Sequence, residues 1–285
     1  MSEQKKSFFA TWHPNPGDSV GKSIRLVCRP GGDVLVRSET DTGFPEYSDQ
    51  AACPADWQRL SIGTLGDQTV MLVSAPLNAP APAGYLWTNI RPLFGGLDSG
   101  EIEALSRASM LASWDSDHRY CGRCGTITER DTLESARVCP ACHHRSYPRV
   151  SPAMIVRITD GEKILLAHNS RFPDGVYSCI AGYVEPGETL ENTVIREIRE
   201  EVGLIAAPPK YLSSQAWPFP HSLMLGFETT ATGNPVPDGV EISDAQWFSC
   251  DNLPHIPRHG TIARWLIDEW LMDLGILDRN DMEAT

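Results

Sequence analysis

Two Cys-x-x-Cys pairs, Cys121-Gly-Arg-Cys124 and Cys139-Pro-Ala-Cys142, stand fourteen residues apart and constrain the fold of this chain more than any other feature. Four thiolates at that spacing converge tetrahedrally on one zinc ion, as in a structural zinc ribbon, and four sulfur ligands leave no position open for water. Gly125 follows the first pair, where such a knuckle turns tightly. Disulfides are the competing use of these cysteines, and a reducing compartment disfavours them. A redox pair would place one motif at the start of a helix rather than set two facing each other. His143 and His144 are alternative ligands, read here as residues flanking the cluster. Cys28, Cys53, Cys179 and Cys250 are scattered singly and read as buried thiols.

A zinc ribbon alone suggests a nucleic-acid-binding module. Charge argues against that as a sufficient account: 24 Lys and Arg face 37 Asp and Glu, for a formal net charge of -13 in 285 residues and a pI of about 5.0. Phosphate backbones and anionic membranes are repelled by such a chain overall. The metal instead orders a region with little apolar mass and joins domains. No run of 18 apolar residues occurs, so no membrane span is expected. Met1 to Lys6 is polar with no signal-peptide core behind it, and Glu283-Ala284-Thr285 is neither a peroxisomal address nor a prenylation box. The expected location is the cytoplasm.

The flanking regions read as α+β. From Trp12 to Pro92 the strand-like runs are Ile24 to Cys28, Val34 to Val36 and Val70 to Ser74, with Gly31-Gly32-Asp33 as a hairpin turn. Asp41 to Asp49 and the Pro-rich Ala75 to Gly84 carry breakers without periodicity. Asp98 and Glu101 form a capping box before a helix with Ile102, Leu105, Leu111 and Trp114 on one face, read as a link between domains. After the cysteines come strands at Ala153 to Ile158, Lys163 to His168, Tyr177 to Val184, Tyr211 to Trp217, Ser222 to Thr229 and Ala245 to Ser249. Helices are expected at Leu190 to Val202 and Thr261 to Leu274, the latter with Ile262, Trp265, Leu266, Trp270 and Leu274 as its core stripe. The expected division is an N-terminal α+β domain at 1–97, a linker helix at 98–118, the ribbon at 119–148 and a catalytic domain at 149–285. No internal repeat, Rossmann fingerprint or Walker loop is found.

The most informative run is Gly182 to Leu204. Leu190, Val194, Ile198 and Val202 recur every four residues as a buried stripe, while Glu197, Glu200 and Glu201 project together from another face. Gly203 stands where a helix C-cap belongs. Three clustered carboxylates repel one another unless a cation neutralises them, and hard oxygen ligands suit Mg²⁺ or Mn²⁺, ions that favour phosphate substrates. The competing reading is a solvated face with an Arg196–Glu200 pair.

The spacing decides between these. Gly182, five residues, Glu188, seven residues, then Arg196-Glu197-Ile198-x-Glu200-Glu201-x-Gly203-Leu204 resembles the Nudix box at every defined position. A second run, Ser214-Gln215-Ala216-Trp217-Pro218-Phe219-Pro220-His221-Ser222, is similar to the signature of the NADH pyrophosphatases, a Nudix branch with a four-Cys ribbon ahead of the hydrolase domain. The departure is Ala216, where the family has Pro, which bears on substrate preference more than on reaction type.

The resemblance implies an α/β/α sandwich that cleaves NADH and NAD⁺ to nicotinamide mononucleotide and AMP by water attack on the pyrophosphate. It implies Glu197, Glu200 and Glu201 as catalytic and metal-binding residues, joined by the carbonyl of Ala181 and by Glu241 outside the box. Glu188 holds the box loop, with Arg196 as the candidate partner. Gln215 to Ser222, Tyr147, Tyr183 and Ala263 would line the substrate site. The aromatics and prolines of that loop would give rigid stacking surface, with Gln215 and Ser222 offering hydrogen bonds; the alternative is a stiff surface loop with its rings tucked inward. Arg91 and Glu134 match weaker substrate positions, with a surface ion pair as the alternative for both. The same resemblance implies structural zinc, Mg²⁺ or Mn²⁺, a homodimer, and NAD-capped RNA as an alternative substrate. A rival of another class is a nucleic-acid-binding ribbon attached to an inactive Nudix domain.

Overall fold

The computed structural model describes residues 6–13, 23–37, 44 and 54–278. Cys53, residues 1–5, most of Asp41 to Asp49 and Glu283 to Thr285 lie outside them. The chain divides into two compact units, Met1–Val150 with Ala216–His221, and Ser151–Gln215 with Ser222–Thr285.

The first unit holds a six-stranded sheet of β1 (Phe8–His13), β2 (Ser23–Arg29), β3 (Asp33–Val36), β4 (Gln58–Leu65), β5 (Gln68–Ser74) and β6 (Leu86–Asn89), in the order β1-β4-β5-β2-β3-β6. The β2–β5 pair is parallel and the others antiparallel. The expected hairpin joins β2 to β3, with Gly31 and Gly32 at φ +97° and +87°, a region that favours glycine. Helix α1 (Ser99–Asp117) starts at the expected capping box, in which Asp98 accepts from the Glu101 N–H at 2.8 Å and Glu101 accepts from the Asp98 N–H at 3.1 Å.

Three sequence expectations change here. The helix read as a linker is a layer of this domain: Ala104, Leu105, Ala108, Leu111 and Trp114 share a core with Leu26, Cys28, Val34, Val36 and Ile62. Its small alanines let the helix approach the sheet closely. The Pro-rich stretch covers the opposite face, where Ala75 and Ala79, with Trp57, Tyr85 and Trp87, pack on Val27, Leu35 and Val73. Trp87 Nε1 donates to the Ala79 carbonyl at 2.9 Å and fixes that cover. Among the single cysteines, Cys28 and Cys179 are buried but Cys250 is only half-buried.

The ribbon carries a small antiparallel sheet of β7 (Glu129–Arg130), β8 (Arg137–Val138) and β9 (Arg145–Ser146). Asp115 near the end of α1 fastens it. Its carboxylate takes both Arg130 Nε and an Arg130 terminal nitrogen at 2.8 Å, and it also accepts from Arg137, which in turn donates to Thr128 Oγ1 at 2.8 Å and to the Thr128 carbonyl at 2.9 Å.

The second unit is built on β10 (Ser151–Asp160), β11 (Lys163–Asn169), β12 (Ile180–Tyr183), β13 (Lys210–Trp217), β14 (Ser222–Thr230) and β15 (Ile242–Phe248), ordered β13-β14-β10-β11-β15 with β12 paired to β10. The expected strand from Tyr177 is thus shorter, and Ser178 makes only a bridge to Ala167. Side chains alternate across β10. Met154, Val156 and Ile158 face α2 (Leu190–Val202) with Val194, Ile198 and Val202, and Ile155 faces α3 (Ile262–Asp273) with Leu266, Ile267 and Trp270. Trp265 and Leu274 of the expected α3 stripe are only partly buried, and Ile267 takes a core place instead.

The two sheets repeat one another, a relation absent from the sequence pattern. In each, the first long strand (β2, β10) pairs antiparallel with the next (β3, β11) and parallel with a later one (β5, β14). The strand before that later one (β4, β13) pairs with it on its far side, with β1 added outside β4 in the first sheet, the last strand (β6, β15) is the opposite edge, and a helix follows. The sequence between β3 and β4 carries no carboxylate box, and among the described residues Trp57, Tyr85 and Trp87 pack on the sheet face opposite α1.

Burial alone would raise the Asp115 pKa, but hydrogen bonds and charge from Arg130 and Arg137 hold it below the usual carboxylate range. Its stabilisation is therefore fully present above the unfolded pKa of about 3.9 and is lost as pH falls through the lower folded value. Asp115→Asn should cost about 3 kcal/mol near neutral pH, because it leaves Arg137 buried without its counter-ion. Denaturant melts of both proteins should show the difference shrinking at more acidic pH.

Candidate active site

The site begins with the loop that leads into α2. Thr189 caps the helix by accepting the Asn192 N–H at 3.2 Å, and Gly203 ends it in the left-handed region at φ +68°, as the sequence pattern requires. Val194, Ile198 and Val202 are fully buried. Each such side chain contributes roughly 1.5–3 kcal/mol when removed from water, enough to pin the helix and fix where its glutamates point.

Arg196 organises those glutamates. It donates to Glu188 at 2.7 and 2.8 Å, to Glu197 at 2.9 Å, to Glu200 at 3.0 Å and to the Tyr183 carbonyl at 3.0 Å. Glu188 also accepts from the Glu185 N–H at 3.1 Å and from the Thr193 hydroxyl at 3.0 Å. These bonds, the Arg196 one foremost, bring its pKa down to about 2. Glu188 is thus a permanently ionised brace for the box loop.

Glu197 and Glu201 are buried while Glu200 is exposed. A Cβ on Gly182 would sit 2.0 Å from Glu197 Oε1, so the glycine provides the space for that carboxylate. Gly182 pairs with Met154 and Ala181 with Ile155 across β12–β10, which sets Ala181 one residue from the Glu197 carboxylate. Glu201 Oε2 is buried with no hydrogen-bond partner. Burial, reinforced by the charges of Glu197, Glu241, Asp238 and Glu200, pushes its pKa up to about 8, and burial likewise raises Glu197. Among the described residues only the four cysteines already stand close enough together to hold a metal ion; the glutamates act on one another's charge, and a hard divalent cation would draw their oxygens together.

Sequence reasoning missed Asp238. Its N–H donates to the Glu201 carbonyl at 3.1 Å, and its carboxylate accepts the N–H groups of Val240 at 3.1 Å, Glu241 at 3.2 Å and Ile242 at 2.9 Å. Exposed Glu241 is thereby tied to the C-terminal end of α2. The signal was an Asp-Gly turn beside a strand, which marks a loop without revealing what it docks on.

The other substrate-site expectations fare differently. Tyr183 is half exposed and its hydroxyl pairs with Ser222 Oγ at 2.9 Å. Gln215 donates to the Gly260 carbonyl at 2.9 Å and accepts the Ile262 N–H at 2.8 Å. Both polar side chains expected to offer hydrogen bonds outward therefore bond within the fold, and Ala263 is partly buried beside the α3 core. In the first unit, Pro218 is buried and Ala216 and His221 are half-buried, while Pro220 is exposed. Trp217 packs edge to face on Phe219 at 4.9 Å and on Phe94 at 5.8 Å, and Phe219 packs tilted on Phe94 at 5.7 Å. Both rings are half-buried, one part of each packed on Phe94 and the rest open to solvent. Arg91 lies over Phe219 rather than in an ion pair, Glu134 is 3.4 Å from Arg145 as in the ion-pair alternative, and Tyr147 is exposed.

In the ribbon the four sulfurs lie within 4.8 Å of one another, with the closest pairs at 3.4, 3.5 and 3.6 Å. A disulfide needs about 2.05 Å, whereas tetrahedral zinc at about 2.3 Å from each sulfur sets neighbours about 3.8 Å apart. The spacing fits zinc. Gly125 and His143 hold equivalent positions, at φ +75° and +57°, and their N–H groups donate to the carbonyls of Cys121 and Cys139 at 2.8 and 2.9 Å. His143 is therefore a knuckle-turn residue.

Comparison with known proteins supports this architecture. The chain matches the NUDIX domain over residues 148–266, the NADH pyrophosphatase zinc ribbon domain over 116–147 and the NADH pyrophosphatase-like rudimentary NUDIX domain over 24–114. It is 46% identical over 228 residues to the NAD-capped RNA hydrolase NudC of Stutzerimonas stutzeri, covering 76% of this chain and 82% of that one. It is 42% identical over 249 residues to the protein of the same name from Pseudomonas fluorescens, covering 84% and 89%. Among solved structures, a NUDIX hydrolase from Nitrosomonas europaea covers 54% of this chain and 91% of its own, with a TM-score of 0.47 at 20% identity.

Two outcomes follow from the geometry. Gly182→Ala should displace Glu197 and weaken Mn²⁺ binding about 10–100-fold in calorimetric titration. Elemental analysis should find one zinc per chain, and Cys124→Ser should lower both zinc content and melting temperature.

Proposed function

Because the chain belongs to the Nudix hydrolases of the NADH pyrophosphatase type, we propose that it hydrolyses the pyrophosphate bond of NADH and NAD⁺, yielding nicotinamide mononucleotide and AMP. The observation that carries this reading is the buried, unpartnered Glu201 oxygen set among Glu197, Glu200 and Glu241. With the Ala181 carbonyl, these four residues would hold the divalent cation, Mg²⁺ or Mn²⁺, which when bound neutralises pyrophosphate charge and activates water for attack on phosphorus.

The chain's own groups prepare that site. Arg196 holds Glu197 and Glu200 in one arrangement, Glu188 anchors Arg196, and Gly182 leaves the Glu197 carboxylate room. Asp238 brings Glu241 to the end of the same helix. Pre-set groups of this kind need no reorganisation as charge develops. The segment from Gln215 to Ser222, with Tyr147, Tyr183 and Ala263, is assigned to recognition of the dinucleotide, and Arg91 and Glu134 to its periphery. A homodimer in the cytoplasm completes the reading, on the strength of the family resemblance.

The names of the relatives favour a second substrate on the same chemistry, RNA carrying a 5′ NAD cap. The intact carboxylate set speaks for a working hydrolase and against a binding module with an inactive domain.

Purified protein supplied with NADH, NAD⁺ or NAD-capped RNA in Mg²⁺ or Mn²⁺ should release nicotinamide mononucleotide, in its reduced form from NADH, while ADP-ribose, which could give only AMP and ribose 5-phosphate, serves as the comparison; relative kcat/KM values rank the substrates. Glu201→Gln should lower kcat by about 10²-fold or more with the fold intact. Near-parental activity in that variant would remove Glu201 from the site.

A further inference from the structure

The segment Ala216–His221 runs from the last two residues of β13 through the turn before β14, yet it belongs to the first unit. Its flanking residues stay behind: Gln215 is bonded to Gly260 and Ile262, and Ser222 to Tyr183. The segment itself is gripped by the short 3-10 helix Arg91–Gly96 that follows β6. Phe94, 2% exposed, presents its ring to Trp217 at 5.8 Å and 86° and to Phe219 at 5.7 Å and 53°. The Arg91 guanidinium covers the outer side of this cluster, 4.4 Å from the Phe219 ring centre and 5.7 Å from that of Trp217.

We infer that Phe94, assisted by Arg91, is the positioning residue through which the N-terminal domain sets the conformation of the dinucleotide-recognising segment, and hence the enzyme's affinity for its substrate. Edge-to-face rings fix one another's tilt as well as their separation, and a guanidinium over a ring adds a directional contact. Within the segment, the Phe219 N–H donates to the Trp217 carbonyl at 2.8 Å, so the two rings move as one piece. Removing the Phe94 ring leaves that piece without its support, and it would settle into the space vacated. A segment displaced in this way loses contacts made alike to bound substrate and transition state, which weakens binding without slowing the chemical step. The carboxylates of α2 are braced separately by Arg196, so the effect should fall on substrate affinity rather than on turnover.

This inference rests on the assignment of residues 215–222 to substrate recognition, and its test separates the two. NADH binding, followed by its own fluorescence with EDTA present, and steady-state kinetics would be measured on zinc-loaded parent, Phe94→Ala, Arg91→Ala and Arg91→Lys. Phe94→Ala should raise KM and Kd for NADH about 10-fold or more with kcat within about threefold of the parent. Arg91→Ala should show a smaller shift of the same kind, with Arg91→Lys recovering part of it by restoring the cation. If Phe94→Ala does not fold, Phe94→Leu, which keeps an apolar side chain without the ring, decides. Unchanged Kd and KM in folded variants, or a fall confined to kcat, would overturn the inference while leaving the hydrolase reading in place. A parent that neither binds nor cleaves NADH would overturn both.

Discussion

The end of α2 gathers more negative charge than the cation beside it neutralises, and the second unit is organised around that imbalance. Arg196 uses its five N–H contacts on Glu188, Glu197, Glu200 and the Tyr183 carbonyl, which leaves Glu201 with a buried oxygen and no partner. Holding such a carboxylate out of water costs several kcal/mol. The offset comes from elsewhere on the same helix, where Val194, Ile198 and Val202 are fully buried against the sheet. Apolar packing thus keeps in place a group that electrostatics alone would expel toward solvent, and a divalent cation relieves the strain when it binds.

What the sequence disclosed follows from how local each constraint is. The Nudix-box helix, its caps and the four thiols are each fixed within about twenty residues, and their spacing is read directly from periodicity and ligand geometry. Of the Arg196 contacts, the one to Glu200 was legible from its four-residue spacing and the one to Glu188 came with the family resemblance, while those to Glu197 and the Tyr183 carbonyl were not foreseen. Asp115 was not legible either. It meets Arg130 and Arg137 only after α1 and the ribbon have folded together, and no periodicity announces a contact made by tertiary packing. Asp238 was hidden for the same reason, because a turn residue's local role masks the helix end it docks on.

The duplicated sheet was also invisible, and the cause is physical. A strand needs only alternating apolar positions, so β2 and β10 can share pairing partners and direction without sharing residues. The feature that would have exposed the repeat, a second glycine-to-glutamate box, is absent between β3 and β4. Among the described residues, Trp57, Tyr85 and Trp87 pack on that sheet face. The first unit therefore keeps the framework of a Nudix domain without the box sequence.

That division of labour explains why so many residues of the substrate signature bond or pack within the fold. Gln215 and Ser222 satisfy groups of the second unit, while Trp217 and Phe219 interlock with Phe94 of the first. A loop made of prolines and aromatics could present its polar atoms to a ligand directly, but it would then have to be ordered at the moment of binding, at about 0.5–1.5 kcal/mol per immobilised side chain. Anchoring it at both ends and through its rings removes that cost in advance. Ala216, which lacks the ring of the proline found at this place in the family, gives up some backbone stiffness. The contacts to Phe94 and Arg91 supply stiffness from outside the segment, so its shape depends on a framework that does no chemistry of its own.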